Sequence, residues 1–204
     1  MPTQLTFDIK NKDVIVWRGQ IVMSRSEEPY FDKLFARLSN ELRPSRVLEV
    51  GFGLGISAEL IQNYLRPAEH HIVEIDATIC ADLMQFAHQH ASVTAIAADW
   101  KRAQLNGPYD FVFYDPFDYF EEPGARADEE AQLLRKLVGV SGALCHPHFG
   151  DGDPRKIPGF RNVVLDRFEV PSISMADGTT CNHGAVVLCY PSDEDPPGGF
   201  SDES

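Results

Sequence analysis

Basic residues are scarce in this chain. Eighteen Lys and Arg stand against 31 Asp and Glu, a net charge of −13. Gripping a nucleic-acid backbone takes clustered cations, so nucleic acid is excluded as the main partner, and an anionic membrane surface with it. Long apolar runs are also missing, for none approaches the roughly 20 residues of a membrane span. The N-terminus, MPTQLTFDIKNKD, lacks the basic-then-apolar layout of a secretory signal, so a cytoplasmic location is expected. Cysteine is sparse: Cys80, Cys145, Cys181 and Cys189 form no CxxC pair. Zinc ribbons and disulfide scaffolds are thereby disfavoured, and buried free thiols are expected. There is no GKS or GKT, hence no P-loop, and no repeat of fixed period.

What is present is a globular composition, 43% hydrophobic and 24% charged over 204 residues. That suits one domain with a core large enough to stand alone. We assign residues 1–192 to it, with 1–44 as a leading segment and helix that covers the substrate. The last twelve residues, DEDPPGGFSDES, hold five acids and no base. They bury too little to offset their ordering entropy and read as a mobile tail.

Between these ends, strands and helices alternate. RVLEVGFG (46–53), HHIVEID (70–76), SVTAIAAD (92–99), YDFVFYD (109–115) and GALCHPHF (142–149) read as strands. Helical spacing marks 28–42, 56–65, 79–90 and 129–138. A late pair, 161–170 and 183–191, has little helix between its members and reads as antiparallel. The fold class is α/β: a mostly parallel sheet with helices on both faces and an antiparallel edge pair.

The first strand ends Glu49-Val50-Gly51-Phe52-Gly53-Leu54-Gly55 and opens a helix. Alternate glycines let the backbone turn and approach a ligand without Cβ interference. The third glycine comes too early for the dinucleotide pattern G-x-G-x-x-G. Glu49 would repel a pyrophosphate but suits an ammonium group. Glu74 ends the second strand, where a carboxylate can accept both ribose hydroxyls; Asp76 is the alternative. Asp99-Trp100 ends the third strand and suits an adenine, by hydrogen bond and stacking; the same pair also reads as a helix cap and a core aromatic. A nucleoside carrying a cationic amino acid fits this set, which describes S-adenosylmethionine, with S-adenosylhomocysteine as its product.

With these motifs in this order, the chain resembles the class I S-adenosylmethionine-dependent methyltransferases over roughly residues 44–190. The resemblance implies a Rossmann-like, seven-stranded sheet. VMSRSEEPYF (22–31) and FYDP (113–116) narrow it to guanidinoacetate N-methyltransferase and its arginine N-methyltransferase relatives. In that family an acid before Pro-Tyr and the acid ending the fourth strand both hold the substrate guanidinium. Carried over, these are Glu27 and Asp115, with Asp115 as proton acceptor and Glu27 as clamp. The family's cofactor residues fall on Glu49, Gly51, Gly53, Glu74, Asp99 and Trp100, and Gly55 of the same loop is expected beside them. Met23, Tyr30, Phe117 and His148 are expected at the substrate, with Trp17 helping to exclude water. Tyr114, Tyr119 and Phe120 add aromatic walls, and Glu28 is an ordinary helix N-terminal charge. The chain departs from the family at Ser26 (often Trp), at Pro116 (Thr) and at His146-Pro147-His148-Phe149 (an Asn-bearing loop).

The implied activity is N-methylation of a small guanidino compound, such as free arginine or guanidinoacetate. Two other readings stand beside it. His146, His148, Asp151 and Asp153 can be read as the metal site of an O-methyltransferase. The domain can also be read as a non-catalytic module that binds S-adenosylmethionine and docks a partner.

Overall fold

A computed structural model describes residues 3–117 and 127–192. Tyr119, Phe120 and the acidic tail lie outside them. The chain opens with a three-stranded antiparallel meander, β1 (Ile9–Lys10), β2 (Val14–Trp17) and β3 (Gln20–Ser24). Its strands have two to five residues, too short for an alternation signal, so the sequence reading saw only a leading segment here. A single 3-10 turn, Arg25–Glu27, then delivers the chain into α1 (Glu28–Glu41).

The main sheet has seven strands: β4 (Arg46–Val50), β5 (Glu69–Glu74), β6 (Val93–Ala97), β7 (Tyr109–Tyr114), β8 (Val138–Cys145), β9 (Phe160–Ser174) and β10 (Thr180–Pro191). Their spatial order is β6-β5-β4-β7-β8-β10-β9. The first five pair in parallel, whereas β10 runs antiparallel to both β8 and β9. Parallel strands are covered on both faces, which is why β4 and β7 read as continuous apolar runs.

Alternate residues separate the two faces. Val47, Phe111, Phe113, Ala143 and Cys145 pack with α1 and with α2 (Ile56–Leu60) and the π turn that continues it (Ile61–Leu65). Leu48, Val50, Val112, Tyr114 and Leu144 pack with α4 (Ala127–Leu137). α3 (Ala77–Gln89) closes a third cluster, in which Ile79 and Leu83 meet Ile15 of the meander and Ile72. α1 buries Tyr30, Phe31, Leu34, Phe35 and Leu38, an i, i+4, i+8 stripe with flanking aromatics. Leu42 is already extended, two residues before Pro44.

Register places the site. Val50 lies opposite both Val73 and Tyr114. The next residues along the three central strands, Gly51, Glu74 and Asp115, therefore meet at one carboxyl-end rim. Gly51 N donates to Val73 O at 2.9 Å, and Asp115 N to Val50 O at 3.1 Å.

Candidate active site

A cavity of about 170 Å³ opens on that rim. Its wall includes Gly51, Gly53, Glu74 and Asp115 from the strand ends, Met23 and Glu27 from the leading segment, and Phe117. Gly51 has φ +92°, and a Cβ there would sit 2.6 Å from the Asp115 carbonyl oxygen. Only glycine lets these two strand ends close up.

A capping box sets Glu27. Ser24 N donates to Glu27 Oε1 at 2.7 Å, and Ser24 Oγ accepts from Ser26 N at 3.2 Å. One carboxylate oxygen is thus committed to the backbone, while the residue still borders the cavity. Burial, then the nearby Asp115 charge, push the Glu27 carboxyl up to about 8. Burial, then Glu49, push Asp115 up to about 7. Two acids in one poorly solvated cavity resist being ionised together. Glu28 points outward and pairs with Arg25 at 3.1 Å.

Several expected residues are placed elsewhere. Glu49 is fully buried between β4 and α2. Ser57 Oγ donates to its Oε1, and its Oε2 lies 3.0 Å from His70 Nε2. Gln62 Nε2 faces His70 Nδ1 at 3.0 Å and Ser92 Oγ donates to Gln62 Oε1 at 2.9 Å, so a polar chain runs from Ser92 to Glu49. Glu49 therefore supports the rim from beneath and does not line the cavity.

Asp99 accepts from Lys101 N at 3.0 Å and caps a turn; Trp100 packs edge-on against Tyr114, 5.3 Å between centroids. Neither is among the residues that line this cavity, and their contacts are those of the cap-and-core alternative. Ile21, Val22 and Ile79 form apolar wall at the Glu74 end instead. Asp76 caps α3 through Thr78 N and Ile79 N and also accepts from Leu5 N at 2.8 Å. Glu74 accepts from Phe52, Ile75 and Asp76 amides at 2.8–3.0 Å and still borders the cavity; burial raises its pKa. Gly55, φ +74°, begins α2 outside the cavity wall.

Tyr30 is not among the residues that line the cavity. It is wholly buried, donates to Ala185 O at 3.0 Å and accepts from His148 N at 2.8 Å. It ties α1 to β10 and to the 146–149 segment and touches no cavity. His148 contributes its backbone to that tie, while its ring faces Gly152 O at 3.1 Å. His146 Nδ1 lies 2.9 Å from Pro147 O. No group of three His, Cys, Asp or Glu suited to a metal ion forms among the described residues. Met23 does line the cavity, with its sulfur accepting from Leu54 N at 3.0 Å. Trp17 packs edge-on to Phe117 at 6.4 Å.

The sequence reading missed one wall. Phe149, Ile173, Ser174, Met175 and Ala176 close the end beyond Asp115. Ser174 N donates to Ser26 Oγ at 3.1 Å, so the small residue at position 26 anchors this wall. The departure at Ser26 was the available signal.

The strand order, the glycine loop and the paired acids coincide with a sequence match: the profile of the guanidinoacetate N-methyltransferase family matches residues 3–125, more than half of the chain. The chain belongs to the guanidinoacetate N-methyltransferase family. The match contains Glu27 and Asp115 and ends before the wall at 149 and 173–176. Solved structures agree on the fold. N-methyltransferase NodS from Bradyrhizobium japonicum is 13% identical, with TM-score 0.63 over 82% of this chain and 97% of that one. Its complex with S-adenosyl-L-homocysteine matches at TM-score 0.60, again 13% identical, over 82% and 88%. The YcgJ protein from Bacillus subtilis is 9% identical, with TM-score 0.54 over 80% and 99%. This family member is a methyltransferase of the S-adenosylmethionine-dependent, class I type. No helix among the described residues is long and apolar enough to cross a membrane.

Proposed function

We propose that the protein transfers a methyl group from S-adenosylmethionine to a guanidino nitrogen of a small molecule, the class that includes free arginine and guanidinoacetate. One observation carries this reading: two carboxylates, Glu27 and Asp115, border one cavity beside a glycine loop. The residues fit the cofactor. Gly51 and Gly53 leave the loop backbone bare toward the cavity, and Glu74 supplies an acid at the ribose position. When bound, S-adenosylmethionine supplies a methyl group on a sulfonium, whose carbon–sulfur bond breaks with the electron pair left on sulfur.

The chain's own residues do the rest. A guanidinium stays protonated at neutral pH, with a pKa above about 12, and its nitrogens are poor nucleophiles. Planar N–H forks match carboxylates in pairs. Glu27 offers the oxygen not used in the capping box and orients the group. Asp115 polarises the reacting nitrogen and takes its proton as the nitrogen–carbon bond forms. A carboxyl raised to about 7 is poised for that exchange near neutrality. Phe117 and Met23 keep water from the pair, which strengthens both contacts.

Asp115→Asn and Glu27→Gln are each expected to lose methyl transfer by at least about 100-fold. Both should bind S-adenosylhomocysteine as the native protein does in calorimetry. A variant that keeps most of its turnover would sink the assignment. Cofactor binding with no guanidine methylated would instead favour the non-catalytic module.

A further inference from the structure

The hydroxyl of Ser26 joins two walls of the cavity that lie far apart in the chain. Ser26 sits in the 3-10 turn between β3 and α1 and is not among the residues that line the cavity. Its Oγ donates to Ser24 Oγ at 3.0 Å and accepts from Ser174 N at 3.1 Å, across 148 positions of sequence. Ser24 Oγ accepts in turn from Ser26 N, while Ser24 N donates to Glu27 Oε1 at 2.7 Å. A continuous line of hydrogen bonds therefore runs from the β9–β10 hairpin to the carboxylate of Glu27. The capping box needs only Ser24 and Glu27; the bond to Ser174 is additional to it. On the other side, the hairpin tip is a turn closed on itself: Met175 N donates to Thr179 O and Gly178 N to Met175 O, both at 2.9 Å. Ile173, Ser174, Met175 and Ala176 present that tip to the same cavity as Glu27.

Resting on the assignment of Glu27 to the acceptor, as proposed above, we infer that Ser26 is a positioning residue: it holds the hairpin tip against the turn that aims Glu27, so the wall and the carboxylate keep one fixed geometry. A carboxylate that must meet a planar N–H fork tolerates little misplacement, since an error of about 1 Å costs on the order of 100-fold in rate. Burial and the Asp115 charge raise the Glu27 carboxyl, and the Ser24 amide works against them because it favours the ionised form. Any slackening of the Ser24–Glu27 bond thus acts on both the aim of the carboxylate and its charge. The helix itself is held by other contacts. Tyr30 ties α1 to β10, and Lys33 Nζ donates to Glu169 O at 2.8 Å, farther along β9. Removing the Ser26 hydroxyl accordingly loosens the turn and the tip without freeing α1.

The test compares the full native chain with Ser26→Ala, which loses the hydroxyl, and Ser26→Thr, which keeps one. In Ser26→Ala, exchange of the Ser174 amide, followed by NMR, should quicken about tenfold, the scale of one hydrogen bond. The Glu27 carboxyl, followed by carbon-13 NMR and assigned with Glu27→Gln, should titrate at higher pH than in the native chain. With guanidinoacetate or free arginine as acceptor, kcat/KM should fall about tenfold, with its rising limb displaced to higher pH. Affinity for S-adenosylhomocysteine should stay as it was. Ser26→Thr should remain within about threefold of the native chain in amide exchange and in kcat/KM. An unmoved Glu27 titration or an unchanged kcat/KM in Ser26→Ala would overturn the inference and leave the guanidino reading standing. So would a Ser26→Thr variant that behaves as Ser26→Ala does, since the hydroxyl is then not what matters. If neither compound is methylated, the guanidino reading falls, and the titration alone decides whether Ser26 sets Glu27.

Discussion

At the residue scale, a shared cavity makes the two carboxylates a pH-sensitive pair. Both carboxyls sit above their ordinary values, at about 8 for Glu27 and about 7 for Asp115. On the guanidino reading proposed above both must be ionised, so kcat/KM should rise with pH through roughly 7 to 8 and then level. Stability runs the other way. A carboxyl whose folded pKa is raised favours folding below its unfolded value, and that contribution is lost as pH climbs through the folded pKa. The ligand-free protein should therefore melt at lower temperature at pH 9 than at pH 6, and Asp115→Asn should flatten the trend; thermal unfolding at both pH values checks it. Beneath the pair, His70→Leu would leave Glu49 buried without its imidazole. Leaving a buried polar group without its partner costs about 1–3 kcal/mol, readable by urea unfolding. Glu49→Gln in the same background should recover part of it.

At the element scale, α1 matters through its two ends. Its N-terminal capping box aims Glu27, and Tyr30, one turn on, bolts the helix to β10 and the 146–149 segment. Tyr30→Phe strands a buried carbonyl and a buried amide and should cost about 1–3 kcal/mol. Gly184→Ala attacks the same joint from the strand, since a Cβ there would lie 2.6 Å from the Tyr30 ring; a cost of about 1–3 kcal/mol is expected from overpacking. If either variant unfolds at the native denaturant midpoint, the joint is less important than its geometry implies. These elements also show what sequence could and could not reveal. The parallel strands were legible because burial on both faces makes them uninterrupted apolar runs. The meander was not, because strands of two to five residues hold too few alternations to stand out. Asp99-Trp100 offers two roles with identical residues, and the packing of Trp100 on Tyr114 is a tertiary contact that the sequence does not display. The wall at 173–176 carries no motif; it reaches the cavity through a long-range hairpin that local spacing does not encode.

At the scale of the whole molecule, the meander is packed onto the cofactor end of the sheet. Thr3 N donates to Ile75 O and Ala77 N to Thr3 O, both at 2.8 Å, next to Glu74. With S-adenosylhomocysteine bound, amide exchange in residues 3–24 should slow along with that of the glycine loop, as measured by mass spectrometry. Protection confined to the sheet would show that the meander does not respond to the cofactor. The β9–β10 hairpin overshoots the sheet and reaches the same cavity, and residues 174–180 include no fully buried side chain. Substitution there should cost little folding stability while altering the cavity wall. The part of the cavity wall that this tip contributes can therefore be changed without touching the strand-end rim that carries Gly51, Glu74 and Asp115.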